Sequence, residues 1–337
     1  MDYYSTVMGA GENCFISAFN KLWADELASH GTRYEKATQL LVGNRLRPIL
    51  MAWGYYANAA KPNNRMIADY AVCIELIHKA SILLDDWIDK DIARHGKRTF
   101  HIEYSSEEAV LYGIYLINRS LKRMNNLDSQ YTYNLIEVVE KMSLGGIMEV
   151  SLIKNLNEES IALAKQIIDL ETTTLIKHSF TMGYRISSKG QIYSTIEDIG
   201  SHIGYCFQLM NDLEPFVDAN KNIVYKGVQN FDANKKRKNI ALAYLYGACS
   251  NSERTLLLDN PDYVSIKYLI DKYEVSSFML DEVLSLTKQI RDNVTMLKKS
   301  GVSDKFIFEF TVFLKEMFRI CYDKLGLVFT DNVFDKR

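Results

Sequence analysis

Proline is nearly missing from this chain, four residues in 337, and the 17 glycines are scattered without any Gly/Ser/Pro-rich stretch. A linker between domains has nowhere to sit, so residues 1–337 are expected to form one unit with a substantial core. Paired cysteines are missing too. Cys14, Cys73, Cys206, Cys249 and Cys321 are odd in number and never form a CxxC, which argues against a disulfide framework or zinc site and for a reducing cytoplasm. Excess positive charge is absent: 40 Lys and Arg face 42 Asp and Glu, leaving no field to gather nucleic acid or anionic lipid. No run reaches the roughly 18 apolar residues of a membrane span. The start, MDYYSTVMGAGENC, lacks the basic segment and apolar run of a secretory signal. A cytoplasmic protein without a membrane span and without a nucleic-acid partner is expected.

Strand signatures are also lacking, and no internal repeat is found. Apolar residues recur instead at helical spacing, as in Ala71, Ile74, Ile77, Ala80 and Leu84, and again in Ile199, Ile203 and Phe207. Breaks fall near Lys61 to Asn64, Asp91 to Arg98, Tyr104 to Glu107, Asn125 to Ser129, Ser187 to Gly190, Ala219 to Lys238, Asp259 to Asp262 and Ser300 to Asp304. The pattern predicts an all-α fold, a large helical bundle whose interior can hold a site built from facing helices.

The strongest chemical signal lies in HKASILLDDWIDKDIARHGK. Asp85 and Asp89 are four apart, so their carboxylates stand one turn above the other and can share hard divalent cations, with Asp86 beside them. The bland alternative is a solvated acidic helix end, and a lone DDxxD arises by chance. Acidic groups at a helix C-terminus oppose the macrodipole, however, and carboxylates following the apolar Ile82, Leu83 and Leu84 are costly to bury without a cation. His78 lies two turns before Asp85 on the same face; alone it would read as a core histidine.

A second oxygen-rich face occurs in GYCFQLMNDLEPF, where Gln208, Asn211 and Asp212 follow i, i+3, i+4 spacing. Taken alone, Asn and Asp before Pro215 mark a helix ending at Glu214. Cations able to neutralise a phosphate group include Arg45 and Arg47 in GNRLRP, Arg94, Lys226, and the run Lys235, Lys236, Arg237 and Lys238, at least two of which read as solvated loop. Arg47 and Arg94 carry most weight, because guanidinium meets phosphate oxygens in pairs.

With these motifs in order, the chain resembles the trans-isoprenyl diphosphate synthase family, also called polyprenyl synthetases, from about Gly43 to Ala241. The family's GGKRxRP corresponds to Val42 through Pro48. Its first aspartate motif and following RRG correspond to Asp85 through Asp89 and to Arg94, His95 and Gly96. Its GQxxD resembles Gly145 through Glu149, and its KT with a later glycine resembles Glu171, Thr172 and Gly183. Its FQxxDD becomes Phe207 through Asp212, and its DxxxxK becomes Asp232 and Arg237.

The resemblance implies an isoprenoid synthase-type helical bundle with a central active-site cavity. It further implies a Mg²⁺-dependent prenyltransferase that ionises an allylic prenyl diphosphate, with three Mg²⁺ ions once diphosphate is bound, and a homodimer. Asp85 and Asp89 would bind two ions, Asn211 would help hold a third, and Asp86 and Asp212 complete the metal set. Arg94, Thr172, Gln208, Lys226 and Arg237 would contact the donor diphosphate or its metals. Arg45, Arg47, His78 and His95 complete the substrate-binding candidates.

Departures from the family pattern bear on the acceptor, which is isopentenyl diphosphate in the family. Its acceptor lysine is Asn44 here, the second arginine of RRG is His95, and the donor-side lysine is Glu171. Each lost charge-assisted hydrogen bond removes about 1.5 to 3 kcal/mol, which favours a different acceptor, an aromatic or indole group, or none. Asn211 is similar to the first residue of the class I terpene cyclase NSE motif, but Pro215 and Ala219 break that motif. A terpene cyclase and a catalytically silent synthase subunit remain the alternatives. The family closes its prenyl tunnel with aromatics where this chain has Ser81 and Ala80, so the tunnel is expected to be open there, with Ile77 or Ile74 as floor and a donor of C15 or C20 size within an overall C10 to C20 range. Trp53, Tyr55 and Tyr56 read as packing, and Gly145 and Gly146 as permitting close helix approach.

Overall fold

The computed structural model describes residues 14–31, 38–59, 61–152, 157, 160–187, 192–217, 239–259 and 262–334. In chain order these form α1 (Phe15–Ala28), α2 (Thr38–Leu41), α3 (Leu46–Tyr56), α4 (Asn64–Asp89), α5 (Phe100–Glu103), α6 (Ser106–Leu127) and α7 (Ser129–Leu152). They continue with α8 (Ser160–Ile168), α9 (Thr174–Ser187), α10 (Tyr193–Val217), α11 (Ile240–Ala248), α12 (Asn251–Leu258), α13 (Tyr263–Lys272), α14 (Val275–Lys299) and α15 (Asp304–Lys324). Helix starts follow their caps. Asn63 accepts from the Met66 amide at 3.0 Å before α4, Ser105 from Glu108 at 3.0 Å before α6, and Ser303 from Phe306 at 3.2 Å before α15. The expected breaks near 61–64, 104–107, 125–129, 187, 259–262 and 300–304 coincide with these boundaries, whereas 219–238 lies outside the described residues.

Helix α4 is the axis of the bundle. Ala71, Ile74, Ile77 and Ala80 are all buried, as are Leu76 and Leu83 on other faces. A helix apolar on all sides belongs inside a core, and α4 packs against α1, α3 and α6. Each such side chain contributes about 1.5 to 3 kcal/mol by leaving water. Against α3 lies α9, backbone to backbone: a Cβ on Gly183 would stand 1.9 Å from the Met51 carbonyl oxygen. Trp53 packs on Phe306, Phe310 and Phe313 of α15 at ring distances of 5.4–5.6 Å, which makes it core.

Two local expectations are corrected. A two-residue ribbon, β1 (Ala93–Arg94) with β2 (Lys97–Arg98), occupies the break after α4, closed by His95 and Gly96 at φ 51° and 69°. Two positive φ values make the hairpin turn whose twist suits paired strands. Helix α10 does not stop at Glu214. It runs to Val217 with Pro215 inside, losing the bond to Asn211 in its last turn while Leu213 and Phe216 anchor that turn in the core.

Among the described residues no helix is long and apolar enough to cross a membrane.

Candidate active site

A cavity of about 1780 Å³ opens between α4, α6, α7, the α8–α9 junction and α10, reached also by the loop before α3 and the end of α15. Asp85 and Asp89 line it from α4, Gln208, Asn211 and Asp212 from α10, and Arg47, His78, Arg94 and His95 from its basic end. The residues singled out in sequence thus converge on one space. Lys226 and Arg237, with the remainder of their basic run, lie outside the described residues.

Helix geometry divides the three aspartates. Four residues turn an α-helix by about 400°, so Asp85 and Asp89 share a face, whereas one residue turns it by about 100° and sends Asp86 elsewhere. Asp86 is fully buried and absent from the cavity wall; its Oδ1 accepts from Arg94 Nε at 2.7 Å and Nη2 at 2.6 Å. Burial, opposed by Arg94, pushes the Asp86 carboxyl up to about 6. Burial works against the Arg94 charge, but Asp86 and then Asp85 outweigh it and hold the guanidinium above its ordinary value. In this structure Asp86 pairs with Arg94, whose Nη2 also lies 3.9 Å from Asp85 Oδ2.

The α10 wall is wired differently. Thr172 donates to Gln208 Oε1 at 2.7 Å, Gln208 Nε2 donates to Asp212 Oδ1 at 2.6 Å, and the Ile240 amide donates to Asp212 Oδ2 at 3.0 Å. Asp212 Oδ2 thus ties α10 to the start of α11 while its Oδ1 is held by Gln208 within α10, and Asn211 stands beside them on the cavity wall. Thr172 reaches Gln208 from a π-turn, Asp169–Thr173, in which the Thr174 amide bonds back to the Asp169 carbonyl. Such single-turn bulges widen a helix and concentrate at functional sites.

The same turn projects Glu171 into the cavity. Burial, then the negative charges of Asp85 and Asp212, push its carboxyl up to about 8. Gly145 makes room for it: a Cβ there would stand 2.5 Å from Glu171 Cγ, the close approach expected of that glycine.

At the basic end Arg47 Nη1 donates to His78 Nε2 at 3.1 Å, which leaves the proton of neutral His78 on Nδ1. Burial and the Arg47 charge depress His78 well below its ordinary value, and burial brings Arg47 down to about 10, so the histidine is neutral and the arginine charged near pH 7. Among the described residues, Arg47 Nε and His78 Nδ1 are buried without a hydrogen-bond partner. Two such donors cost about 1 to 3 kcal/mol each unless an acceptor arrives. Arg45 also lines the cavity. It takes a left-handed backbone (φ 55°), its Nη1 pairs with Glu75, Nη2 donates to the Leu41 carbonyl at 2.7 Å, and its guanidinium lies 5.3 Å from the Trp23 ring. It braces the loop before α3. Asn44 accepts from the Leu46 amide at 3.2 Å, a turn-forming bond in place of a cation.

An apolar limb runs from the aspartates past Ile77, Ser81 and Leu84 of α4, Ile117 of α6 and Met142 of α7. Ser81 and Ile77 line it as expected, whereas Ala80 is buried in the core away from it.

A family model described as polyprenyl synthetase matches residues 32–262. The chain belongs to the polyprenyl synthetase family. Heptaprenyl diphosphate synthase component 2 of Geobacillus stearothermophilus is 26% identical over 200 residues, 58% of this chain and 62% of that protein. Octaprenyl diphosphate synthase of Escherichia coli K12 is 27% identical over 180 residues, 51% and 53% of the two chains. The matched stretches thus span half to three-fifths of these curated relatives. In three dimensions the polyprenyl synthetase likeness covers nearly everything: a decaprenyl diphosphate synthase from Rhodobacter capsulatus superposes with a TM-score of 0.77 at 19% identity, covering 94% of this chain and 97% of that one. The fold is the isoprenoid synthase-type helical bundle, as the resemblance implied.

Among the cavity residues the sequence missed are two lysines. Lys324, at the end of α15, lies far from every motif and carries no local signal. Lys79 donates to the Val42 carbonyl and lies 3.5 Å from Glu75; its place beside His78 was the available signal.

Proposed function

We propose that this polyprenyl synthetase is a Mg²⁺-dependent prenyltransferase that ionises an allylic prenyl diphosphate of C10 to C20 size and passes the prenyl group to an acceptor, isopentenyl diphosphate or a non-standard nucleophile. The observation that carries this reading is a single cavity joining Asp85 and Asp89 to an apolar limb and a basic end. The donor set fits the metal. Among the described residues no three of His, Cys, Asp and Glu converge into a ready cluster, and Mg²⁺ is commonly held by one or two carboxylates plus substrate phosphates. Asp85, Asp89 and Asn211 would hold three ions, which when bound neutralise the pyrophosphate as it departs.

The chain's own groups do the remainder. Arg94, fixed by Asp86, points a charge at the donor end; Lys226 and Arg237 are proposed to assist it. The Thr172–Gln208–Asp212 chain sets the position of Asn211. Ile77, Leu84, Ile117 and Met142 keep water from the allylic cation, where fixed charges act most strongly. Arg47 and His78 orient the acceptor.

Residues 1–337 are treated as one unit, cytoplasmic and without nucleic acid, and as a homodimer. Supporting the dimer, α6 and α7 expose Leu111, Ile114, Tyr133, Ile136 and Leu144, apolar side chains of the kind an interface covers. One relative is a heptaprenyl diphosphate synthase component 2, which makes a second, different chain the rival occupant. A monomer at micromolar concentration in ultracentrifugation would contradict the homodimer.

The decisive experiment is a product screen. Geranyl, farnesyl and geranylgeranyl diphosphates are each incubated with Mg²⁺, with and without isopentenyl diphosphate. An elongated diphosphate supports prenyl transfer; a hydrocarbon or alcohol from the donor alone identifies a cyclase; no pyrophosphate with any donor identifies a silent subunit.

A further inference from the structure

Glu171 lines the cavity where its acidic end meets its apolar limb. Its Oε1 would lie 3.4 Å from a Cβ on Gly146, and Gly146 shares the cavity wall with Met142 of the limb, one turn earlier on α7. Asp85 and Asp212 are also near enough for their charges to oppose its own. The fold makes space for this side chain. A Cβ on Gly145 would stand 2.5 Å from Glu171 Cγ, and the π-turn Asp169–Thr173 carries Glu171 beside Thr172, which is bonded to Gln208. Among the described residues no hydrogen bond or ion pair holds the Glu171 carboxyl.

We infer that Glu171 is a general base of the reaction, accepting a hydrogen bond and then the proton from the O–H or N–H of a neutral acceptor. The allylic carbon joins the diphosphate of the donor to its hydrocarbon chain, so it lies where the acidic end meets the limb, which is where Glu171 stands. The step balances. The allylic C–O bond breaks and its electron pair leaves with pyrophosphate; a lone pair of the acceptor oxygen or nitrogen forms the new bond to carbon; the proton of that atom passes to the Glu171 carboxylate and then to water. A neutral acceptor must shed that proton, whereas an acceptor bearing a diphosphate would add negative charge to a wall that already carries Asp85, Asp212 and Glu171. Burial and the charges of Asp85 and Asp212 push the carboxyl up to about 8, which makes it a strong base for a carboxylate once cations offset the Asp85 charge. A carboxyl that only fills space beside Gly145 would not distinguish acceptors that carry a proton from those that do not.

The inference rests on the prenyltransferase reading and names its acceptor class. The full chain, with Mg²⁺ and geranyl diphosphate, is given methanol and azide together, because methanol loses a proton when it attacks and azide has none to lose. Geranyl methyl ether and geranyl azide are quantified by gas chromatography beside pyrophosphate release. Wild-type protein is expected to form both. Glu171→Gln is expected to lower the ether-to-azide ratio about tenfold or more; Glu171→Ala, which opens space beside Gly145, is expected to lower it likewise and to recover it with added formate. An unchanged ratio in both variants, or a wild type that forms azide and no ether, overturns the inference alone, since ionisation of the donor still occurs. Wild-type protein that releases no pyrophosphate from any allylic donor overturns both the inference and the prenyltransferase reading.

Discussion

On α4, Asp85 and Asp89 face the cavity, whereas on α10 both oxygens of Asp212 are taken by Gln208 and the Ile240 amide. The two walls have similar residue types and different duties. The first wall places two carboxylates one helical turn apart on the cavity wall, where the proposed function gives them the ions. The second has one carboxylate oxygen on the Ile240 amide of the next helix and the other on Gln208 of its own, with Asn211 beside them on the cavity wall. A motif of acidic residues is therefore a set of positions to be sorted by what each oxygen already binds.

The sharpest way to break this comparison is to remove the carboxylates wall by wall. Asp85→Ala or Asp89→Ala is expected to lower pyrophosphate release by about a thousandfold or more, as for loss of a group that stabilises developing charge, with helical circular dichroism unchanged; near-wild-type turnover in either variant would remove the metal assignment. Arg94→Ala, behind the first wall, leaves Asp86 buried without its partner and should cost about 3 kcal/mol in urea unfolding at pH 7.5. Stability equal to wild type would show that the Asp86–Arg94 pair is dispensable. On the second wall, Asp212→Ala is expected to cost about 1 to 3 kcal/mol by stranding the Ile240 amide and Gln208. A catalytic loss as large as that of Asp85→Ala, without loss of stability, would show instead that Asp212 binds metal.

A pH-dependent effect lies between the walls, at Glu171. Its folded pKa of about 8 exceeds the ordinary carboxyl value, so its contribution is fully present below the unfolded pKa and is lost as pH rises through about 8. In metal-free protein, Glu171→Gln should raise the melting temperature relative to wild type at pH 8.5 and change little at pH 4. An equal shift at both pH values would show that the carboxyl is not strained by its acidic neighbours.

Much of this was legible beforehand, for reasons that are local. The i, i+4 spacing of Asp85 and Asp89 fixes a shared face wherever the helix lies, and His78 falls on that face too. Asp86 was legible in principle: Leu76, Lys79, Leu83 and Asp86 recur at helical spacing and all are buried, so that stripe marked the core side. Arg45 was not legible, since its pairing with Glu75 joins residues 30 apart. The π-turn at Asp169–Thr173 leaves no mark in apolar periodicity, and the extension of α10 through Pro215 is a tertiary override of a local signal. Lys324 reaches the cavity only because α15 packs back onto the bundle.

The central claim, that Asp85 and Asp89 receive the metal while Asp86 holds Arg94, is tested most directly by anomalous diffraction from crystals grown with Mn²⁺ and an unreactive allylic thiodiphosphate. The account predicts metal peaks within bonding distance of the Asp85 and Asp89 carboxylates, with Asp86 still on Arg94. Peaks on Asp86, or none beside Asp85 and Asp89, would contradict it.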